Sequence, residues 1–503
     1  MNKTFLPWLA LLVASVSAFA TTHNINVASE LKNLNACASS DTIKLMHSIQ
    51  MSGVDFSPLC PDGFYGVFDG GDSTIENLTI RKDLLDYANI AFVAILGNGG
   101  VLKNVTFVNA NIDVSVGNNS NPVNGSVAIV VGKLQGGSIE NVHVRGGNVT
   151  VTGKNKTSAD AGGVAGTADS GAISETDGDV NISAQGGVVS HLGGICGSVT
   201  GDVTLTSVTY TGNSQVDIAG SGMDNITTAT KYGAITVNEK NSVKTAVIDG
   251  AYTGQDTIKI SNDVSVNSVE FTRSFTENTM STLMLPFSID TSKVKGGKIY
   301  RFKRVDVNKE TGVWKVIIGR IYTEQVGANT PYLVLPSAEK LTFEGPVTFN
   351  TTTAPIENAR GLEEGSTWEF KGVYAHTNFD DVQEDGPMYA FAGQNKDGAK
   401  VGQFKSIGSG VKAYPMQAYL VNHGGNTLTK SAAGSFGHNI ALPDVIDIEI
   451  EDENGIVVET GKLNTVTGEV RMDRWFDLKG RKLNSKPTVK GTYYKNGKRV
   501  IVK

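Results

Sequence analysis

Short apolar segments that end in glycine recur along the first half of the chain at a nearly constant spacing. Their last glycines are Gly97, Gly132, Gly166 and Gly197. Each is followed by a turn and a further apolar segment, as in GGVLKNVTF and GGSIENVHV. A period of about 33 residues is typical of a solenoid, because one such unit has too few apolar side chains to bury its own face. We therefore predict a parallel β-helix-like solenoid over residues 72–262.

Stacking of these units would bring equivalent side chains into rows. The spacing places Leu102, Ile139 and Leu205 in one interior row. Parallel strands stacked in this way pair about 4.8 Å apart, so each unit covers the one before it. Residues 21–71 precede the first full unit and are predicted to cap it, because the open end of a stacked sheet exposes unpaired strand edges.

Asparagine recurs at a turn of the repeat. Asn77, Asn104 and Asn141 hold equivalent places in IENLTI, LKNVTF and IENVHV. Two interpretations are open: the side chains stack and bond one another as a polar ladder, or they are ordinary turn formers. Glu175 and Ser207 replace the asparagine in later units, so a ladder would end there.

The second half of the chain has a different pattern. Residues 263–441 alternate apolar and polar positions between Gly, Pro and Asn turns, which predicts one or more antiparallel β-sandwich modules. Most of the aromatic residues lie here, and Trp314 and Trp368 are expected in the sandwich core rather than on a sugar-binding surface. Residues 442–470 are acidic and are predicted to form a linker or an edge strand. The fold class is therefore all-β throughout.

The end of the chain reverses the sign of charge. Residues 471–503 are rich in Lys and Arg. Gly480 and the pair Asn496-Gly497 mark two turns between apolar segments, the second being a strong signal for a tight hairpin. A small C-terminal β hairpin domain is predicted.

Residues 1–20 have the features of a secretory signal peptide. Lys3 precedes an apolar run that ends at Ala18-Phe19-Ala20. No other run approaches the roughly 20 apolar residues of a spanning helix, so no transmembrane segment is expected. Cys37 and Cys60 lie close together in the sequence of an exported chain, which predicts a structural disulfide. Cys196 is expected to be a buried apolar residue.

The composition and charge of the chain indicate which classes of binding partner suit it. The chain of 503 residues includes 58 Gly and 13 Pro and carries a net charge of −6. A charge this small argues against nucleic-acid binding. Between Ala91 and Ser214 charged side chains are sparse, well below the 19% of the whole chain. A surface so poor in charge suits hydrogen bonding to neutral sugars, or simple inertness.

The repeat resembles a known bacterial family. FDGGDSTIENLTI, followed by units of the GGVAG and GGICG kind with Gly-Gly-x-Ile-x-Asn turns, is similar to the GLUG-type repeats of bacterial surface adhesins and peptidases. The resemblance covers about residues 64–213, although these units differ from the usual pattern in length. It implies a right-handed parallel β-helix or related solenoid on a bacterial surface, and it supplies no fixed catalytic residues.

Two resemblances lie in the second half. STLMLPFSI (281–289) and ANTPYLVLP (328–336) together resemble an accessory β-module of large secreted proteins in Fibrobacter- and Bacteroidetes-type bacteria. The phrase DLKGRK (477–482), the KGTYY turn and the closing NGKRVIVK resemble the C-terminal sorting domain of the type IX secretion pathway. The tail resemblance implies contact with secretion machinery and an extracellular or outer-surface location. The alternative is a basic hairpin that finishes the sandwich.

Four carboxylates are weak catalytic candidates. Asp160, Asp169, Asp177 and Asp179 lie in Gly-rich segments of the repeat. Glycosidic bond hydrolysis uses two carboxyl groups about 5–10 Å apart, whereas Asp in such turns more often serves the turn itself. No motif for a metal or a nucleotide appears, so neither a metal nor a cofactor is expected.

Two functions follow from these patterns. The first is a secreted or surface-displayed, non-catalytic, adhesin-like protein that binds a polysaccharide, such as a cell-surface glycan, or another surface through its solenoid. The second is a secreted carbohydrate-active enzyme, a polysaccharide lyase or glycoside hydrolase, with its groove on the solenoid. An enzyme predicts acidic and basic side chains that converge in one cleft, whereas a binding protein predicts rows of Thr, Asn or aromatic side chains.

Overall fold

The described chain is nearly all β, which confirms the predicted fold class. A computed structural model describes residues 21–84, 88–116, 124–153, 158–186, 189–213, 216–308, 310–321, 325–352, 359–360, 367–393, 400–423 and 442–502. The predicted signal peptide, residues 1–20, lies outside the described residues. The chain divides into two compact units, Met1–Ala229 and Thr230–Lys503.

The first unit is called the parallel stack below. It contains one short helix, α1 (Ala28–Lys32), and a 3-10 turn, Met223–Asn225, among its described residues. Its described strands are β1 (Thr21–Ile25), β2 (Asp41–Leu45), β3 (Ile49–Gln50), β4 (Val67–Glu76), β5 (Thr79–Leu84), β6 (Ala88–Ile90), β7 (Val93–Leu96), β8 (Val101–Val116), β9 (Asn124–Ala128), β10 (Val131–Gly153), β11 (Ser158–Gly162), β12 (Ala165–Ser174), β13 (Asp177–Gln185), β14 (Val189–Gly193), β15 (Cys196–Val199), β16 (Val203–Thr206), β17 (Thr209–Tyr210) and β18 (Ile226–Tyr232).

Successive segments of the parallel stack pair side by side in the same direction. β4 pairs with β8, β8 with β10, and β10 with β12 and β13. The ladder continues from β12 to β16 and from β16 to β18. The register places Leu102, Ile139 and Leu205 in one row, as expected, with Ile173 between the last two. All four side chains are buried.

A second parallel sheet consists of β6, β9, β11 and β14. Its apolar side chains share one core with those of the main ladder. The glycine-ended segments of the sequence repeat form the bends between the two sheets. At two equivalent bends a Cβ on Gly162 would lie 1.9 Å from the Ala165 carbonyl oxygen, and one on Gly193 would lie 1.7 Å from that of Cys196. Glycine is required there by close backbone approach.

The segment predicted to cap the stack contributes to its ladder. β1 pairs with β2, and β2 with β4, all in parallel. Cys37 and Cys60 form a disulfide with an S–S distance of 2.07 Å within this segment. Cys196 is a buried free thiol, and its burial raises its pKa to about 12.

The second unit contains two 3-10 turns, Thr291–Lys293 and Phe379–Asp381, among its described residues. Its described strands are β19 (Ile235–Lys240), β20 (Val243–Ile248), β21 (Val264–Val266), β22 (Ser268–Phe271), β23 (Ser281–Met284), β24 (Ile289–Asp290), β25 (Val294–Lys295), β26 (Gly297–Val307), β27 (Trp314–Arg320), β28 (Gln325–Val326), β29 (Pro331–Pro336), β30 (Thr342–Phe343), β31 (Val347–Phe349), β32 (Ala359–Arg360), β33 (Trp368–Gly372), β34 (Thr377–Asn378), β35 (Met388–Phe391), β36 (Phe404–Ser406), β37 (Lys412–Ala413), β38 (Ala418–Asn422), β39 (Val445–Glu451), β40 (Val457–Asn464), β41 (Val470–Met472), β42 (Trp475–Phe476), β43 (Lys482–Leu483), β44 (Gly491–Lys495) and β45 (Lys498–Val502).

The repeat was predicted to extend to residue 262, whereas the first compact unit ends at Ala229. Beyond it, β19 and β20 form an antiparallel hairpin. Asn241 and Ser242, the two residues between these strands, have φ values of 51° and 63°. Two consecutive left-handed residues form the tight turn that suits a hairpin, so the chain reverses here.

Two sheets of the second unit share an aromatic core. One has the strand order β23-β29-β26-β27-β39-β40-β41 and the other β32-β33-β38-β35-β36. Trp314 and Trp368 meet in this core with their ring centroids 5.7 Å apart, and both are buried. Their expected place in the core is therefore observed.

The acidic segment is not a linker. β39 pairs with β27 in parallel on one side and with β40 on the other, so it is an interior strand. An acidic strand can lie inside the sheet because apolar and acidic residues alternate along β39. Its apolar residues Ile446, Ile448 and Ile450 are buried. The intervening carboxylates meet lysines of the neighbouring strands, with Asp447 2.7 Å from Lys462 and Glu449 3.1 Å from Lys315.

The tail forms a small antiparallel sheet in the order β43-β42-β44-β45. Asn496 and Gly497 have φ values of 51° and 79°, as the predicted tight hairpin requires. At the other predicted turn, Asp477 accepts hydrogen bonds from the backbone N–H groups of Lys479 and Arg481. Both predicted hairpin turns are present.

Candidate functional site

Three consecutive segments of the parallel stack present a polar outer surface, named the polar face here. It consists of the outward side chains of residues 111–115 on β8, 148–152 on β10 and 181–185 on β13. Because side chains alternate along a strand, Ile112, Val149 and Ile182 from the same segments are buried in the core. The register aligns the outward side chains in three rows: Asn111, Asn148 and Asn181; Asp113, Thr150 and Ser183; Ser115, Thr152 and Gln185.

The asparagine row of the polar face is hydrogen-bonded. The Asn148 side-chain amide donates to the Asn111 Oδ1 at 2.9 Å. In the next row the Ser183 hydroxyl donates to the Thr150 hydroxyl at 3.5 Å. Sequence reasoning did not identify this face. The available signal was an Asn immediately before a β-branched residue in NANID, GGNVT and DVNIS.

A second asparagine ladder lies at a corner of the stack. The Asn141 amide donates to Asn104 Oδ1 at 3.1 Å, and the Asn104 amide donates to Asp69 Oδ1 at 3.1 Å. Asn104 and Asn141 have φ values of 55° and 51°, a left-handed conformation that Asn tolerates better than most residues. Both interpretations of these asparagines therefore hold, since they turn the chain and also bond one another. Glu175 and Ser207 continue the corner with φ values of 50° and 54°.

The predicted equivalence of Asn77 with Asn104 and Asn141 is wrong. Glu76 pairs with Val108, and the Asn77 N–H donates to the Val108 carbonyl, so Asn77 stands opposite Asn109. Asn77 and Asn109 form a separate corner with φ values of 56° and 52°. The stack turns at two left-handed positions a few residues apart, and similar sequence phrases occur at both.

Asp177 lies in a charged cluster beside the corner ladder. Its carboxylate accepts hydrogen bonds from His143 and from Arg145. The other ring nitrogen of His143 lies 3.1 Å from Asn141 Oδ1. Partial burial acts to raise the pKa of Asp177, but the bonds from Arg145 and His143 outweigh it and the pKa is lowered. Asp177 is thus held as a carboxylate.

Asp169 has a different set of partners. Its carboxylate lies 2.7 Å from Lys133 Nζ and accepts a 2.5 Å hydrogen bond from the Thr200 hydroxyl. Partial burial acts to raise the pKa of Asp169, but these two bonds outweigh it and the pKa is lowered. Each partner comes from a neighbouring segment, so the cluster links three successive segments of the stack.

Asp160 and Asp179 do not join these two clusters through direct bonds. Asp160 is on β11 of the second sheet, where it accepts from the Thr167 hydroxyl at 3.3 Å and meets His191 Nδ1 at 2.8 Å. Asp179 is exposed and follows Asp177 on the same face of β13. Its register partner is Arg145, whose guanidinium bonds Asp177.

The candidate carboxylates Asp160, Asp169 and Asp177 therefore have three separate sets of partners. Asp169 and Asp177 are stabilised in the ionised form, whereas a general acid for glycosidic bond cleavage needs a raised pKa. The arrangement suits ion pairing and hydrogen bonding better than proton transfer. Among the described residues, no three His, Cys, Asp or Glu side chains converge closely enough to hold a metal ion. Within the same part of the chain, no helix has the length and apolarity needed to span a bilayer.

No family model matches the chain, and no solved structure matches it. A segment of 124 residues, 24% of this chain, is 32% identical to Halomucin from Haloquadratum walsbyi. The match covers 1% of Halomucin, so the chain spans about a hundredth of the length of that relative.

Proposed function

We propose that the protein is a secreted or surface-displayed, non-catalytic, adhesin-like protein that binds a neutral polysaccharide through the polar face. The observation that carries this proposal is the three aligned rows of amide and hydroxyl side chains on consecutive parallel segments. Parallel strands repeat about every 4.8 Å, so the same hydrogen-bonding groups recur at a fixed spacing. A polymer of sugar units offers hydroxyl groups that repeat in the same way.

The chemistry of the polar face fits a neutral ligand. Asp113 is the one charged side chain among the nine outward positions that define the face. Amide groups both donate and accept hydrogen bonds, as do hydroxyls, so both match sugar hydroxyls without a charged partner. Because the strands are backed by a close-packed core, the side chains are held in place before binding, which reduces the entropy cost of association.

The proposed extracellular or surface location depends on the two ends of the chain. Residues 1–20 have the pattern of a signal peptide, and the tail resembles a type IX sorting domain. The four-stranded sheet at 475–502 is compatible with a tail that contacts secretion machinery. Cell fractionation of a host that expresses the full chain, with and without residues 471–503, tests this location. Retention of the truncated chain inside the cell, with export of the full chain, is expected.

Binding is tested with a panel of neutral plant and bacterial polysaccharides immobilised on a biosensor. We expect Thr150→Val combined with Thr152→Val to weaken binding of the recognised polymer about tenfold, because two hydroxyl contacts of about 0.5–1.5 kcal/mol each are lost. Valine keeps the shape and strand preference of threonine. Thr204→Val combined with Thr206→Val is the matched control on β16, outside the polar face, and should bind normally. Equal loss in both variants would count against the polar face.

The alternative is a carbohydrate-active enzyme, and Asp177 beside Asp179 on one face of β13 is the observation that favours it. The same panel is therefore assayed for release of reducing ends and of unsaturated products. We expect no release. Product formation that disappears in Asp177→Ala would replace the non-catalytic proposal with the enzyme.

A further inference from the structure

A cavity of about 420 Å³ opens within the second unit, far along the chain from the polar face. This volume falls in the range of roughly 300–1,000 Å³ that is usual for sites that bind small molecules. Its lining combines cationic and aromatic side chains, and none of its described lining residues is acidic. Its cationic lining residues are Arg273, Lys405 and Lys412, and its aromatic ones include Phe391, Tyr414 and Tyr419.

Arg273 is a fixed cation at this cavity. Its guanidinium donates to the Thr282 carbonyl at 2.9 Å and to the Ser281 hydroxyl at 2.6 Å, and it lies 4.6 Å from the centre of the Phe275 ring. No carboxylate of the described chain forms an ion pair with it. Arg273 is half-buried, and loss of solvent around its guanidinium lowers its pKa to about 10, so the group stays charged at neutral pH. An arginine held in this way favours binding of an anion, because a planar carboxylate matches its fork of N–H donors.

Two lysines add positive charge to the same cavity. Lys405 and Lys412 are exposed, and neither is ion-paired within the described residues. The carboxylates next to the lining have other partners. Asp380 accepts the Gly410 N–H at 3.0 Å, and Glu384 bonds Lys371 Nζ at 2.7 Å and the Tyr419 hydroxyl at 3.0 Å. The described lining itself carries three cationic side chains and no acidic one, while the neutral Gly410 N–H leaves the charge of Asp380 in place beside it.

The aromatic side chains restrict the kind of anion. Phe391 and Tyr414 line the cavity and are half-buried, which leaves part of each ring open to a ligand. Aromatic rings add apolar contact area that a small inorganic anion cannot use. A sugar ring has apolar C–H faces, and a uronic acid also carries one carboxylate. A uronic acid therefore offers a carboxylate to the cationic side chains and an apolar ring face to the aromatic side chains of the lining.

We propose that this cavity binds a uronic acid residue of an acidic polysaccharide, with Arg273 holding the carboxylate and the aromatic side chains contacting the sugar ring. Lys405 and Lys412 attract the polymer to the cavity through their charges. The site is independent of the polar face, which is assigned a neutral polymer. Failure of either assignment leaves the other intact.

The test is isothermal titration of the full chain with trigalacturonate, its fully methyl-esterified form, free galacturonate and inorganic phosphate. We expect the trimer and free galacturonate to bind, the ester to bind at least about tenfold more weakly, and phosphate not to compete. Binding of the trimer should weaken as salt is added, because the contact is ionic. No binding of the trimer, equal binding of the ester, or full competition by phosphate would each overturn the proposal.

Variants locate the binding within the cavity. Lys405→Ser combined with Lys412→Ser changes only exposed side chains and should weaken trimer binding about tenfold or more. Lys479→Ser, an exposed lysine of the tail outside the cavity, is the matched control and should bind as the unchanged chain does. Arg273→Gln should abolish binding, with circular dichroism used to check that it folds. Equal binding by the double variant and the control contradicts the proposal even if Arg273→Gln does not fold.

Discussion

The parallel stack and the second unit bury apolar side chains in opposite ways. In the stack, each strand is covered by the equivalent strand of the next repeat, so one short pattern is repeated along the core. In the second unit, neighbours in space are far apart in sequence, as where Lys315 of β27 pairs with Asp447 of β39. Equivalent positions of the stack also align on the outside, which turns single Asn, Thr and Ser residues into rows.

The two units also differ in the composition of their cores. The stack has a core of aliphatic side chains with few rings and an outer surface of repeated polar groups. The two-sheet core of the second unit includes Trp314, Trp368 and Tyr389, whose rings pack against one another. A repeated surface suits a repeated ligand, whereas a cavity suits one unit of a ligand.

The largest effect is expected from Trp314→Ala in the second unit. Trp314 is 1% exposed and packs against Trp368 and Tyr389 at centroid distances of 5.7 and 5.9 Å. Its truncation should lower the free energy of unfolding by about 3–5 kcal/mol. The described tryptophans all lie in this unit, so their fluorescence in a urea titration follows its unfolding. Val313→Ala, at a neighbouring position that is 44% exposed, is the control and should change stability by less than about 0.5 kcal/mol.

Removal of the disulfide should have the next largest effect, and it acts on the parallel stack. Replacement of Cys37 and Cys60 by alanine opens the loop between them, whose ends have a sequence separation of 23, in the unfolded chain. We expect a loss of about 3 kcal/mol in the free energy of unfolding of the stack. Far-ultraviolet circular dichroism in urea measures this loss, and Cys196→Ala serves as the comparison for removal of the remaining thiol. An unchanged midpoint would show that the disulfide does not restrain the stack.

Substitution of a bend glycine tests the close approach between the two sheets of the stack. In Gly193→Ala the new Cβ would lie 1.7 Å from the Cys196 carbonyl oxygen, so the backbone must move. We expect destabilisation by about 1–3 kcal/mol, as for other overpacked sites. Gly408→Ala in the second unit places its Cβ in open space and should be nearly neutral. If Gly193→Ala leaves the unfolding midpoint of the stack as it is in the unchanged chain, glycine is not required at the bend.

The smallest effect concerns pH and Asp177. The pKa of Asp177 is lowered in the folded protein, so its contribution to stability is present above the unfolded value of about 3.9 and is lost as the pH falls through the lower folded value. Asp177→Asn should reduce stability by up to about 1 kcal/mol at pH 7, and this reduction should shrink as the pH falls below about 3.9. Thermal unfolding across this pH range measures the change. Asp179→Asn, on an exposed neighbour, should have a smaller effect, and the reverse order would contradict the partner assignment.

Several features could be read from local pattern alone. The interior row of Leu102, Ile139 and Leu205 followed from spacing, because the repeat sets which residues align. The disulfide between Cys37 and Cys60 followed from their closeness in the sequence of a chain with a signal-peptide pattern, and the hairpin turn at Asn496-Gly497 followed from the backbone preferences of those two residues. Each of these depends on residues that are near in sequence or equivalent in a repeat.

The predictions that differ from the structure also have a cause in the local sequence. Asn77 was aligned with the wrong corner because the stack has two left-handed positions per segment with similar phrases around them. The segment around Val445–Glu451 was predicted to be a linker or an edge strand, because its high charge drew attention away from the alternation of three buried isoleucines. Within the predicted repeat, the antiparallel pairing of β19 with β20 was not anticipated, because the Asn241-Ser242 turn was not recognised as a hairpin signal.

The sequence alone determined that the chain is all-β, that its first half repeats, and that the repeat is poor in charge, since these properties depend on composition and period. Only the tertiary structure decided which side chains face outward together, because a shift of one residue in register moves every side chain to the opposite face. The polar face, the partners of Asp177 and the cationic cavity at Arg273 all depend on that register, or on contacts between strands far apart in the chain.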